Sequence, residues 1–93
     1  MKLEILQENF NSALTLVCRI ISAKPQLPIL SHILLEAKNG KLTLTSSNQE
    51  ITITTEIGAK IISDGAITIP GRTLLEIVSS LSAEKITLEV EES

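Results

Sequence analysis

The sequence predicts an α+β domain in which one strand-helix unit is used twice. Leu3 and Ile5 alternate as a strand does, and Phe10, Ala13, Leu14 and Val17 then recur at helical spacing. Sixty-four positions further on stand Ile67, Ile69, Leu74, Ile77, Val78 and Leu81, apolar at every corresponding step. Between the two copies lie short apolar segments separated by turn residues, as expected of antiparallel strands.

The first strand is expected over Met1 to Gln7, with Leu3 and Ile5 facing inward. Glu8 or Asn9 then opens a helix, with Asn9 as its candidate N-cap. That helix buries Phe10, Ala13, Leu14, Val17 and Ile21 and turns Ser12, Thr15, Arg19 and Ser22 to the other side. Pro25 disfavours helix at the residue before it, so the helix exits near Ser22-Ala23. Two prolines keep Lys24-Pro25-Gln26-Leu27-Pro28 out of regular backbone pairing.

Ile29 to Ala37 reads as a well-buried strand, and Asn39-Gly40 as a tight hairpin turn into Lys41 to Thr45. Ser46-Ser47-Asn48 makes the next turn. Glu50 to Ile57 then alternates, with Ile51, Ile53 and Ile57 inward and Thr52, Thr54 and Glu56 outward. Asp64-Gly65 ends the first copy. The second runs as a strand from Ala66 to Ile69, a helix from Arg72 to Leu81, and a strand carrying Ile86, Leu88 and Val90.

The expected organisation is thus one domain over residues 1–93, with a first unit at 1–58 and a partial second unit at 65–93. The first unit counts one helix and four strands, the second one helix and two strands. If the units are equivalent, two strands are missing, and the exposed edge should make the chain prone to associate.

Composition narrows the function. The core is aliphatic, with one Phe and no Trp or Tyr, so aromatic stacking on single-stranded nucleic acid is not expected. No apolar run reaches the length of a membrane span. The single Cys18 cannot make an internal disulfide, which points to a reducing cytoplasm. The net charge is −3, yet from Asn9 to Lys24 there are two basic residues, Arg19 and Lys24, and no acidic one. Local placement, more than net charge, decides whether a polyanion can dock.

Catalysis is poorly supported. One His, one Cys and one Asp offer little for a triad, and neither a zinc-ligand spacing nor a phosphate-cradling glycine loop occurs. No cofactor or metal is expected. His32 reads as a sheet residue with a satisfied polar tip, and Cys18 as a small hydrophobe beside the helix core stripe. The better candidates are Arg19, Lys24 just past the helix, and Arg72 at the start of the second helix. Each could be an ordinary solvated cation. Their shared position on the helical layer, among hydroxyl side chains, is what favours phosphate contact. Glu76, one turn after Arg72, weakens the case on the second helix.

Lys24-Pro25-Gln26-Leu27-Pro28-Ile29-Leu30, followed by Ile33-Leu34-Leu35, resembles a hallmark of the bacterial DNA sliding clamp, the β subunit of DNA polymerase III. In that family the first residue of the motif is usually arginine, so Lys24 keeps the charge. Met1-Lys2-Leu3, the hairpin Asn39 to Thr45, and Ile69-Pro70-Gly71-Arg72 also look like the clamp's first domain. Ser47-Asn48-Gln49-Glu50 departs from the usual Thr-Asp-Leu-Glu, although Asn48 can still cap a turn. The resemblance spans the chain and implies the DNA-clamp fold, helices toward a central hole and sheets outside, in a ring of two three-domain subunits. It also implies a processivity factor that encircles double-stranded DNA without regard to sequence, with DNA polymerase III and the clamp loader as partners of the full-length homodimer. Lys24, Arg72 and Arg19 would then contact DNA, and no residue would be catalytic. The alternative is a small α+β module that binds protein through an exposed sheet edge.

Overall fold

The computed structural model describes residues 1–21 and 31–91. Among them are seven strands and two helices: β1 (Lys2–Leu6), α1 (Gln7–Val17), β2 (His32–Lys38), β3 (Lys41–Ser47), β4 (Thr52–Gly58), β5 (Lys60–Ser63), β6 (Gly65–Pro70), α2 (Gly71–Ser80) and β7 (Lys85–Glu89). A 3-10 turn, Cys18–Ile20, continues α1. The strands form two antiparallel sheets, ordered β5-β1-β7 and β4-β3-β2-β6. The fold is therefore α+β, as the sequence predicts.

The duplication is visible in the pairing. In one sheet Leu3 and Ile5 of β1 face Leu88 and Ile86 of β7; in the other, Ile67 and Ile69 of β6 face Leu35 and Ile33 of β2. Each copy thus pairs its opening strand, antiparallel, with the strand that follows its partner's helix. The two units are interlocked through each other's sheets.

One continuous core results. Leu3, Phe10, Leu14, Val17, Ile33, Leu35, Leu42, Leu44 and Val78 are essentially inaccessible to solvent. Burying such a side chain is worth about 1.5–3 kcal/mol. Gly40 and Asn39 both take positive φ, 73° and 54°, which forms the two-residue turn between β2 and β3. Asn48 caps the following turn, its Oδ1 accepting from the amides of Glu50 (3.1 Å) and Ile51 (2.9 Å).

Several expectations are corrected. Helix α1 begins at Gln7, after Leu6, with no side-chain cap, so Asn9 lies inside the first turn and does not cap it. Strand β3 runs on through Ser47, because Ser46 is buried and its hydroxyl donates to the Val17 carbonyl oxygen at 2.6 Å. Ile51 is 51% exposed: the Asn48 turn holds it out of β4. Strand β5 was not expected. After β4 the chain crosses to the other sheet with only Ala59 between the two strands, and the Ala59 amide donates to Gly40 at 3.1 Å.

The second copy is less covered than the first. Helix α1 packs against β3 and β4, whereas α2 rests on β6, the 3-10 turn and α1. Consequently Ile77 and Leu81 are 53% and 41% exposed, although their counterparts Ala13 and Val17 are buried. Among the described residues β2 has neighbours on both sides and β7 has one. The Lys24–Pro28 segment, with Ser22, Ile29 and Leu30, lies outside the described residues, as do Glu92 and Ser93.

Candidate nucleic-acid interface

Helices α1 and α2 pack side by side, and two side chains fix their relative direction. At one end Gln7, first residue of α1, donates from Nε2 to the Val78 carbonyl oxygen near the end of α2 (2.9 Å). At the other, Arg72 near the start of α2 donates from Nη2 to the Ile21 carbonyl oxygen beyond α1 (2.6 Å). The helices are therefore antiparallel, each start tied to the other's end.

This arrangement decides where the cations sit. Arg19, exposed on the 3-10 turn, and Arg72 come to the same end of the helix pair, although 53 positions of sequence separate them. Glu8, in the first turn of α1, lies at the opposite end, whereas Glu76 follows Arg72 by one turn of α2. Lys24 lies outside the described residues. The sequence identifies all three cations as candidates; that Arg19 and Arg72 converge follows only from the antiparallel packing.

Arg72 is not simply a solvated cation, since its guanidinium also closes the exit of α1. Burial pushes the Cys18 thiol above its ordinary value, and the nearby Arg72 charge partly offsets this. A thiol held protonated beneath the helix layer is a poor nucleophile. Along its length the exposed helix surface carries Ser12, Thr15, Thr73, Ser79 and Ser80. Three of these hydroxyls donate to their own helix: Thr15 to Asn11 (2.8 Å), Ser79 to Glu76 (3.2 Å) and Ser80 to Ile77 (2.8 Å). Their oxygens stay polar while their protons are engaged.

The remaining candidates do not form a reactive site. His32 is half-buried at one end of β2 opposite Pro70, and its buried Nδ1 has no hydrogen-bond partner among the described residues, where a satisfied tip is expected. On the sheets, Glu56 pairs with Lys41 (3.5 Å) and Glu89 with Lys2 (3.9 Å), both at exposed positions. Among the described residues no group of three His, Cys, Asp or Glu side chains could hold a metal ion.

Comparison with known proteins identifies the family and the fold. A family model described as the DNA polymerase III beta subunit, N-terminal domain, matches residues 1–93. A beta sliding clamp of Synechococcus elongatus is 38% identical over 92 residues, 96% of this chain and 24% of that protein. One from Haemophilus influenzae is 31% identical over 99% of this chain and 26% of its own length. Among solved structures, the DNA polymerase sliding clamp of Caulobacter crescentus superposes with a TM-score of 0.94 at 34% identity, covering 98% of this chain and 25% of that one. The beta subunit from Streptococcus pyogenes gives 0.93 at 35%, covering 99% and 25%. The chain spans about a quarter of the length of these relatives.

Proposed function

The chain belongs to the DNA polymerase III beta subunit family, matching its N-terminal domain over residues 1–93, and from that premise we propose that it is part of a ring that slides on duplex DNA and tethers a replicative polymerase. The observation that carries the reading is the antiparallel helix pair, with Arg19 and Arg72 at one end of an exposed helix layer that also carries hydroxyls, Glu8, Glu76 and the apolar Leu16 and Ile77.

A tether that must slide should hold by enclosure and touch DNA weakly. Phosphate contacts from a few cations give such weak, sequence-indifferent attraction, since phosphates carry no base information. Arg19, Arg72 and Lys24 are the residues proposed for these contacts, from the helix layer of the domain. Hydroxyls whose protons are already engaged with their own helix add polarity without strong anchoring. Carboxylates on the outer strand faces, such as Glu36, Glu56 and Glu89, would discourage DNA from the sheet side.

In this reading the chain is not an enzyme, needs no cofactor, and works in the bacterial cytoplasm as part of the first domain of a homodimeric ring served by a clamp loader. The test uses the full-length protein that carries this domain. Arg19→Gln and Lys24→Gln should weaken binding to duplexes of unrelated sequence to the same degree. Each lost contact should make the salt dependence shallower by about 0.9 in the logarithmic slope. Unchanged affinity and slope would remove these residues from the interface, and a sequence-dependent loss would contradict backbone contact.

A further inference from the structure

The 3-10 turn that carries Arg19 is held from both sides by side chains of other elements. Two residues before Arg19, the Val17 carbonyl oxygen accepts from the Ser46 hydroxyl at 2.6 Å. Two residues after it, the Ile21 carbonyl oxygen accepts from Arg72 Nη2, also at 2.6 Å. Between these, the Cys18 carbonyl oxygen accepts from the Ile21 amide at 3.1 Å and closes the turn. A helix ends in carbonyls that have no partner inside it. Here those of Val17 and Ile21 are engaged from β3 and α2, so tertiary bonds fix the backbone on either side of Arg19.

Ser46 takes the third inward place of β3, after Leu42 and Leu44, where an apolar side chain is the ordinary filling. It is buried and uncharged beneath α1, so it cannot itself meet a phosphate. Arg19 is exposed, on a turn that would have to be ordered on meeting DNA, at a cost in affinity, were it not already held. We infer that Ser46 is a positioning residue for the phosphate contact of Arg19, pinning the turn from the sheet while Arg72 pins it from the start of α2. The inference rests on the DNA contact proposed above for Arg19. Arg72 carries a charge of its own, so its loss mixes positioning with attraction. Loss of the Ser46 hydroxyl removes positioning alone.

Duplex binding by the full-length ring, titrated against salt, tests this with Ser46→Ala, Arg19→Gln and the double variant. Ser46→Ala should weaken binding and make the logarithmic salt slope shallower, as Arg19→Gln does, by no more than the roughly 0.9 of one phosphate contact. The double variant should bind as Arg19→Gln does, because a residue acting through Arg19 has nothing left to act on. In the ring without DNA, amide hydrogen exchange over residues 17–21 should be faster in Ser46→Ala than in the parent. Ile61→Val, a truncation on β5 in the other sheet, should keep the parent's affinity and slope. Three results would each overturn the positioning and leave the contact standing: parent-like binding by Ser46→Ala beside a weakened Arg19→Gln, losses that add in the double variant, or unchanged exchange. An Arg19→Gln ring that binds like the parent would overturn the contact, and the positioning with it. Should Ser46→Ala fail to fold, Ser46→Cys, with a weaker donor of similar size, carries the same comparison.

Discussion

Arg72 donates to the Ile21 carbonyl oxygen at 2.6 Å, tying the start of the second helix to the exit of the first. Gln7 makes the mirrored tie at the other end, to Val78 at 2.9 Å. Each side chain satisfies a carbonyl that lies at or beyond a helix end, where intrahelical partners run out. Arg72→Ala and Gln7→Ala should each lower stability by about 1 kcal/mol. The two ties share no partner and sit at opposite ends, so the double variant should lose the sum. Urea unfolding of the four chains measures this, and a double variant no weaker than one single variant would show that the ties are not independent.

Ser46 supplies a second cross-link, from β3 into the end of α1. It is 2% exposed, and its hydroxyl reaches the Val17 carbonyl oxygen at 2.6 Å. Ser46→Ala leaves that buried carbonyl without its donor, and a loss of about 1–3 kcal/mol is expected. Thr54, exposed on β4 with a long 3.4 Å contact to Thr45, is the control: Thr54→Ala should stay within about 0.5 kcal/mol. Equal losses at the two positions would mean that burial of the bond does not decide its worth.

The repeat was legible because both periodicities, two and 3.6, recur with one offset, and the Asn39-Gly40 turn was legible because its backbone demands those residue types. Strand β5 was hidden for a physical reason: the chain changes sheet at Ala59 without a turn, so no punctuation separates β4 from β5. Periodicity also names a face without saying whether anything covers it. Ile77 and Leu81 match Ala13 and Val17 in pattern, but among the described residues no equivalent of the β3–β4 pair stands above them. In the candidate site, the identity of Arg19 and Arg72 could be read from charge placement. Their convergence could not, because it depends on the antiparallel direction set by Gln7 and Arg72 side chains.

Cys18 links the site to pH. Burial raises its pKa above 9.0, with Arg72 acting in the opposite direction. Below that pH both folded and unfolded chains hold the proton and stability is unaffected. Above it the unfolded chain ionises first, the folded chain binds more protons, and stability falls as pH rises. The stability of the parent should therefore decline more steeply above pH 9 than that of Cys18→Ala, by at most about 1.4 kcal/mol per pH unit. Arg72→Ala should extend the decline to higher pH by removing the offset. Parallel alkaline curves for parent and Cys18→Ala would show that the thiol does not contribute.

Gly71 sets how closely α2 approaches the exit of α1. A Cβ there would stand 2.9 Å from Ile21 Cδ1, 2.9 Å from Ile33 Cγ2 and 3.1 Å from Cys18 Sγ. Ile21 can swing its terminal methyl aside, but Ile33 is 1% exposed and branches next to the sheet backbone, so it cannot yield cheaply. Overpacking of this kind costs about 1–3 kcal/mol, against at most about 1 kcal/mol gained from replacing glycine in a helix. Gly71→Ala should therefore be destabilised by about 1–2 kcal/mol, whereas Gly58→Ala, with nothing within 4 Å of its added methyl, should match or exceed the parent. The clash also pushes α2 away from Ile21, so Gly71→Ala should weaken the Arg72 tie. Its loss should then combine with that of Arg72→Ala to less than the sum. Thermal or urea unfolding of the two single variants and the double variant reads both effects, and strict additivity would mean that the helix start does not move.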